Sequence, residues 1–410
     1  MYKRHLASAL VKALSDTPVV FLNGARQTGK STLVQQLAAG PHPARYVTLD
    51  DLEVLSAAKH DPQAFLAGFD GPVILDEAQR APELFLPLKA EVDRRREPGR
   101  FLLTGSASIL LQPKLSESLV GRMEIITLWP LSQGEIEGKE EGFIDALFDL
   151  DTPLPALKPL SRQELWGRIA QGGYPEPLSR KDPARRQAWV KSYISTLLDR
   201  DVRELAHIEG LTQFPRLVRL LASRTAGLLN FSDLSRTMDI PQSTLKRYLS
   251  LLETTFLTRR IPPWSGNLGK RLVKTPKLFL NDAGLTADLL GTDASHLRED
   301  LTWSGPLLET FVVSELTKQT GWSKTKPQLH HFRTQAGQEV DCLLEDDRGR
   351  CVGVEVKAGQ VSSGDFRGLR ALAAALGKRF VRGVVLNLGS DTVPFGKDLF
   401  ALPLNALWQL

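Results

Sequence analysis

Apolar residues along this chain fall into short runs that alternate with helical patterns. Val19, Val20, Phe21 and Leu22 form a continuous run after Pro18 and read as a buried strand. Leu33, Val34 and Leu37 follow at helical spacing. Residues 45–50 read as a second strand, Val73-Ile74-Leu75 as a third and residues 100–108 as a fourth, with another after Arg122. Asp151-Thr-Pro-Leu-Pro and Gly172-Gly-Tyr-Pro-Glu-Pro177 then break the pattern. Helices are predicted over 161–171 and 183–207, the latter with a Trp189, Tyr193, Leu197 and Leu198 stripe. Three further helices lie near 214–222, 231–238 and 242–253, the last turning Leu245, Leu249 and Leu252 inward. Two strands, 255–261 and 276–280, complete the order helix, helix, turn, helix, hairpin, which is that of a winged helix. Beyond them come a helix from Gly305 to Lys318 and strands at 329–333, 339–344 and 351–358.

The first strand runs into chemistry. Gly24 to Ser31 spells G-x-x-x-x-G-K-S between a strand and a helix, the context of a phosphate-binding loop. Gly24, Ala25, Arg26, Gln27, Thr28 and Gly29 form the loop, and Lys30, Ser31 and Thr32 open the helix. Glycines let backbone N–H groups face a phosphate, and the helix start adds partial positive charge. Lys30 is expected at the β- and γ-phosphates of ATP and Ser31 on Mg²⁺. Asp76 at the end of the third strand is the second candidate for the metal, and Glu77 the candidate base for the attacking water. Ser106, with Thr104 second, is the expected hydroxyl contact to the γ-phosphate. Arg122 is the candidate arginine finger, offered to a neighbouring subunit; a surface salt bridge is its plain alternative. Arg200 and Arg203 are weaker candidates, since alternating charges usually mark a solvated helix face.

Four segments together resemble the prokaryotic AAA+ ATPases that carry the DUF4143 region: Gly24–Thr32, Leu75–Arg80, Leu103–Ser108 and Val120–Glu124. The resemblance spans nearly the whole chain. It implies a parallel α/β sheet flanked by helices, ATP binding at the loop, and a ring or other homo-oligomer. The expected domains are the ATPase core 1–150, a helical lid and linker 151–212, a winged-helix module 213–297 and a C-terminal domain 298–410.

Charge adds a partner. The chain of 410 residues has 52 Lys and Arg against 47 Asp and Glu, net +5. Residues 214–275 alone hold eleven Lys and Arg against three acidic residues, net +8. Ser243, Thr244, Lys246 and Arg247 open the third helix, where a recognition helix meets a groove, and Lys270 and Arg271 lie in the wing, where DNA phosphates would lie. Packing of this face on an acidic protein is the alternative.

In the C-terminal segment Asp341 precedes Glu355 and Lys357 across a turn. Residues two apart on a strand share a face, so these groups are placed to converge. This D…E-x-K pattern resembles the core of restriction-endonuclease-like domains, with Glu309 as the helical carboxylate, and implies Mg²⁺ between carboxylates. A fold that binds DNA without cutting is the alternative.

Hydrophobic residues make up 42% and charged residues 24% of the chain, ordinary values for a globular protein. Two cysteines without zinc spacing, no run near ~20 apolar residues and no signal-peptide core point to the cytoplasm and away from membranes. The expectation is an ATP-hydrolysing AAA+ protein acting on duplex or branched DNA. A metal-dependent nuclease gated by ATP and a nucleotide-controlled protein-binding switch are the rivals.

Overall fold

The computed structural model describes residues 2–105, 119–151, 157–202, 213–266, 275–299 and 302–410. Two compact units divide between Leu131 and Ser132.

The first unit is built on five parallel strands: β1 (Val19–Asn23), β2 (Arg45–Thr48), β3 (Val73–Asp76), β4 (Phe101–Thr104) and β5 (Met123–Thr127). Their order is β2-β3-β4-β1-β5. The three inner strands are buried along their full length, as their unbroken apolar runs require in a sheet covered on both faces. Alternation then sorts the side chains. Val19, Phe21, Val73, Leu75, Phe101 and Leu103 enter one core. Val20, Leu22, Ile74 and Leu102 enter the other, against Leu33, Val34 and Leu37 of the helix Lys30–Ala38. The edge strands carry polar residues such as Arg45 and Glu124 on exposed positions. The expected strands are therefore present, with 45–48 in place of 45–50 and a fourth strand at 101–104; residues 106–108 of that expectation lie outside the described residues.

Residues 132–148, which sequence order groups with the ATPase core, pack in the second unit. Phe143, Ile144, Leu147 and Phe148 join a core with Phe311, Leu316, Leu407 and Trp408. Polar ties reinforce this: the Gln133 backbone N–H donates to Glu315 (2.9 Å), which also pairs with Lys318 (2.6 Å). No composition shift marks this boundary; only the destination of the apolar side chains does. The expected lid helices also lie here, as Arg162–Gln171 and Pro183–Thr196, with Leu197–Val202 a π-helical turn. Their Trp189, Tyr193, Leu197 and Leu198 stripe is buried, and Trp189 stacks on Tyr193 at 4.9 Å.

Helices Phe214–Ala222, Phe231–Met238 and Gln242–Thr254 follow, then the antiparallel pair β6 (Thr258–Ile261) and β7 (Lys277–Leu280). Asp239, at φ 55°, makes the left-handed turn before the third helix. Leu245, Leu249 and Leu252 point inward as expected. The C-terminal segment forms a mixed sheet: β8 (Gln328–Arg333), β9 (Glu339–Glu345), β10 (Cys351–Lys357), β11 (Phe380–Asn387), β12 (Val393–Pro394) and β13 (Leu399–Pro403). The order is β12-β13-β11-β10-β9-β8, with β10 parallel to β11 and antiparallel to β9. Helix Ser304–Thr320 covers Val352, Val354 and Val356; helix Arg367–Leu376 covers Leu343, Cys351 and Val385. Cys342 and Cys351 are both buried free thiols. Among the described residues no helix is long and apolar enough to cross a membrane.

Trp408 is wholly buried, edge-on to Phe311 at 6.3 Å. Trp408→Ala is expected to cost about 3–5 kcal/mol of unfolding free energy, read by urea denaturation followed by circular dichroism. A change within about 0.5 kcal/mol, the range of surface substitutions, would contradict this core assignment.

Candidate functional site

The loop after β1 can be built only with glycine at its start. Gly24 has φ 146°, and a Cβ there would lie 2.3 Å from the Leu128 carbonyl oxygen, a backbone atom. Gln27 (φ 61°) and Gly29 (φ 94°) bend the chain back into the helix Lys30–Ala38. Inside the loop the Thr28 hydroxyl donates to the Ala25 carbonyl at 2.9 Å. Arg4 braces the loop from outside the motif, donating to the carbonyls of Thr28 (2.8 Å) and Trp129 (2.6 Å). Lys30 is 7% exposed, and its ammonium donates to the carbonyls of Gly24 (3.0 Å) and Ala25 (2.9 Å). These bonds hold the charge at the loop. Ser31 and Thr32 lie in the first helical turn, whose N–H groups have no partner within the helix.

The parallel sheet brings the acidic pair to the same edge. Asp76 is buried at the end of β3. One carboxylate oxygen accepts from the Tyr46 hydroxyl at 2.6 Å and the other from the Thr104 hydroxyl. Burial, together with the hydrogen bond to Asp76, pushes the Tyr46 phenol up to about 12, so it stays a donor. Glu77 adopts φ 59°, a left-handed conformation that turns the chain out of the strand. Its N–H donates to the Thr104 hydroxyl at 3.2 Å, and its carboxylate accepts from the Gln79 amide. Thr104 thus holds both acidic residues. Ser106, the first choice for the hydroxyl contact, lies outside the described residues. Arg4, Tyr46 and Gln79 were not singled out by sequence; an Asp-Glu motif names its own residues but not the side chains that orient them. An edge lined by a buried lysine, a helix start and a carboxylate held by two hydroxyls has the donors and acceptors that fit a magnesium–nucleotide.

Arg122 lies elsewhere. Its carbonyl accepts from the Val19 N–H (3.3 Å), at the start of β1 and therefore at the sheet edge opposite the loop. Its guanidinium pairs with Asp93 at 2.5 Å and is half-buried. This excludes contact with the nucleotide site of its own chain.

In the second unit Ser243, Lys246 and Arg247 are exposed in the first half of the helix Gln242–Thr254, and Thr244 is half-buried. The Lys246 ammonium lies 5.4 Å from the Phe231 ring centroid. Part of the positive charge counted by sequence is already engaged. Arg224 pairs with Asp233 (2.9 Å) and Arg260 with Glu253 (2.5 Å). Arg259 turns inward to Asn281 and Thr317, and burial lowers its guanidinium to about 9. Lys270 and Arg271 lie outside the described residues.

The four C-terminal candidates do gather. Lys357 pairs with Glu355 at 2.7 Å, as residues two apart on β10 should. Asp341 on β9 accepts from the Val356 N–H at 3.0 Å where β9 and β10 stop pairing. Glu309 reaches them from the helix Ser304–Thr320. Two further residues enter the cluster without having been singled out. Lys277 of β7 bonds Glu309 (2.8 Å), Asp341 (3.1 Å) and Glu339 (2.6 Å). Among the described residues no group of three or more His, Cys, Asp and Glu is arranged to hold a metal ion.

The geometry of the loop generates two expectations. Gly24→Ala should abolish binding of a fluorescent ATP analogue, because its Cβ meets backbone that cannot move aside. Thr104→Val should lower the hydrolysis rate by roughly 10- to 100-fold while affinity changes little, as for groups that orient ligating residues. An unchanged rate would show that Thr104 does not position Asp76 and Glu77.

A family model described as AAA domain matches residues 16–137. Models described as Domain of unknown function (DUF8612) and Domain of unknown function (DUF4143) match residues 162–296 and 304–407. An uncharacterized protein of Mycobacterium tuberculosis is 30% identical over 405 residues, covering 99% of this chain and 84% of that protein. An uncharacterized protein of Haemophilus influenzae is 28% identical over 202 residues, 48% of this chain and 47% of its own. Among solved structures, the Thermotoga maritima RuvB Holliday junction branch migration motor is 16% identical with a TM-score of 0.32, covering 64% of this chain and 90% of that one. A likeness of that size adds nothing to the strand order described above. The AAA-domain match falls on the loop and acidic pair just described, and the Mycobacterium tuberculosis relative extends the similarity through both later regions, so the chain belongs to the prokaryotic family of AAA-domain ATPases that carry DUF8612 and DUF4143.

Proposed function

We propose that this protein hydrolyses ATP and uses the cycle to act on duplex or branched DNA, as a cytoplasmic homo-oligomer, with a ring the favoured form. Lys30 and the loop N–H groups bind the triphosphate; Ser31 and Asp76 hold Mg²⁺, which supplies charge neutralisation at the phosphates. Glu77 orients and deprotonates the attacking water, with Thr104 keeping its backbone in place. Arg122, which faces away from its own site, serves the site of a neighbouring subunit.

The observation that carries the DNA half of this reading is the exposed Ser243, Lys246 and Arg247 face. It opens the third helix of a helix, helix, turn, helix, hairpin order. Short polar and basic side chains at the start of such a helix suit a phosphate backbone and groove edge. The engaged Arg224, Arg259 and Arg260 favour the second reading, a switch whose basic face binds an acidic protein.

ATPase rates without DNA and with duplex, single-stranded and four-way DNA test the proposal. Stimulation by duplex or four-way DNA is expected. Lys30→Ala should lose nucleotide binding, and Glu77→Gln should bind ATP without turning it over; normal turnover in Glu77→Gln would reassign the base. For DNA, about six phosphate contacts predict a slope near −5 of log K against log salt. Reversing Lys246 and Arg247 to Glu should remove most of the affinity, read by fluorescence anisotropy, and spare basal ATPase. Affinity indifferent to salt and to both reversals would favour the protein-binding switch.

A further inference from the structure

The divalent ion expected in the C-terminal cluster would be shared by Asp341 and Glu355, with Glu309 beside them, yet a cation from the chain itself already bonds two of these three carboxylates, Asp341 and Glu309. Lys277 enters from β7 and is 3% exposed. Its ammonium has three donors, and three carboxylates meet them: Glu309 at 2.8 Å, Asp341 at 3.1 Å and Glu339 at 2.6 Å. We propose that Lys277 is the built-in cation of this nuclease-like site, filling the position between Glu309 and Asp341, so that the site binds no divalent metal and cuts no DNA but clips the β6–β7 hairpin to the C-terminal sheet.

Size and coordination support this. Mg²⁺ needs near-octahedral oxygens at about 2.0–2.1 Å and keeps waters in its shell. An ammonium nitrogen bonded to Glu309 and Asp341 leaves no such volume. Both Asp341 oxygens have partners inside the chain, the second accepting from the Val356 N–H. Glu355 is paired with Lys357, and its other oxygen is buried without a hydrogen-bond partner. A proton can neutralise it, because burial, and then Asp341, push its carboxyl up to about 7. Burial by itself would discharge Lys277, but Glu309, Asp341 and Glu339 together hold its ammonium above the ordinary lysine value. At Glu309 burial and Asp341 outweigh Lys277 and raise the carboxyl instead. Two ammonium groups, Lys277 and Lys357, thus lie among the four carboxylates Glu309, Glu339, Asp341 and Glu355.

The clip has a second strand of support beside it. The segment that leaves β6 pairs with β8: the Trp264 N–H donates to the His331 carbonyl (2.6 Å), and the His331 N–H to that of Pro262 (3.0 Å). His331 Nε2 also donates to the Thr275 carbonyl at 3.2 Å. Burial pushes this imidazole down to about 4, so it adds no positive charge beside Lys277 near neutral pH. Hairpin and sheet are joined at two points, one ionic and one through the backbone. This inference is independent of the DNA reading, since it concerns a metal response and a packing tie within one unit.

The test uses the full chain carrying Lys30→Ala, which removes the metal response of the phosphate loop. Mn²⁺ binding is read by electron paramagnetic resonance and by melting temperature. With Lys277 present, Mn²⁺ should stay free and the melting temperature unchanged. Lys277→Ala strands three buried carboxylates and should lower the melting temperature by on the order of 10 °C without metal. Mn²⁺ should bind this variant and restore part of the loss, and adding Asp341→Asn should remove that response. Hydrogen exchange at the Trp264 and His331 amides should rise in Lys277→Ala without metal. Mn²⁺ bound by the chain with Lys277 intact and lost in Asp341→Asn would overturn the proposal. Metal-dependent nicking of supercoiled DNA that Glu355→Gln abolishes would do the same. A folded Lys277→Ala chain that ignores Mn²⁺ would also overturn it, because something other than the ammonium would then exclude the ion. Should Lys277→Ala fail to fold, the resonance measurement on the chain with Lys277 intact decides alone.

Discussion

Parallel alignment of the first five strands is the constraint on which the nucleotide site rests. In such a sheet every strand ends on the same edge, so whatever follows β1, β3 and β4 is delivered to one line. The register makes this concrete: Leu22 pairs with Thr104, Leu75 with Leu103 and Thr48 with Asp76. The glycine loop, the Asp76-Glu77 pair and the Thr104 hydroxyl become neighbours because their strands are neighbours, although Gly24 and Thr104 lie 80 positions apart in the chain. The same alignment sends Arg122 to the opposite edge. A single geometric rule thus separates the groups that line the site from Arg122, which pairs with Asp93 away from it.

Two cores keep that edge rigid. The alternating side chains of the inner strands are buried on both faces, so a shift of register would move apolar groups onto the wrong core. Rigidity of this kind is what lets a buried carboxylate be held by two hydroxyls, Tyr46 and Thr104, in a fixed direction.

The second unit is held differently. Its core is apolar around Phe311 and Trp408, yet it also buries charges: Glu315 with Lys318, Arg259 against Asn281 and Thr317, and Lys277 among its carboxylates. Desolvating such groups costs about as much as their attraction returns, but removing one partner leaves the other stranded. Buried ions of this sort specify which elements meet more than they add net stability. At Lys277 the elements that meet are the β6–β7 hairpin and the C-terminal sheet.

Contiguous signals were legible in the sequence. The phosphate loop lies within eight residues, and strand, glycine turn and helix follow one another along the chain, so local spacing was enough. The strands of the core, the three-helix order with its inward Leu245, Leu249 and Leu252, and the E-x-K pair came from the same short-range periodicity. What the tertiary structure alone decided depends on residues distant in sequence. Tyr46 reaches Asp76 across 30 positions, Lys277 reaches Glu309 across 32 and Asp341 across 64. Residues 132–148 join the second unit for the same kind of reason, through Phe311 and Trp408. A motif records what its own residues can do. A cation in its centre, supplied by another strand, changes what remains possible there, and periodicity carries no trace of it because the contact exists only once both strands are packed.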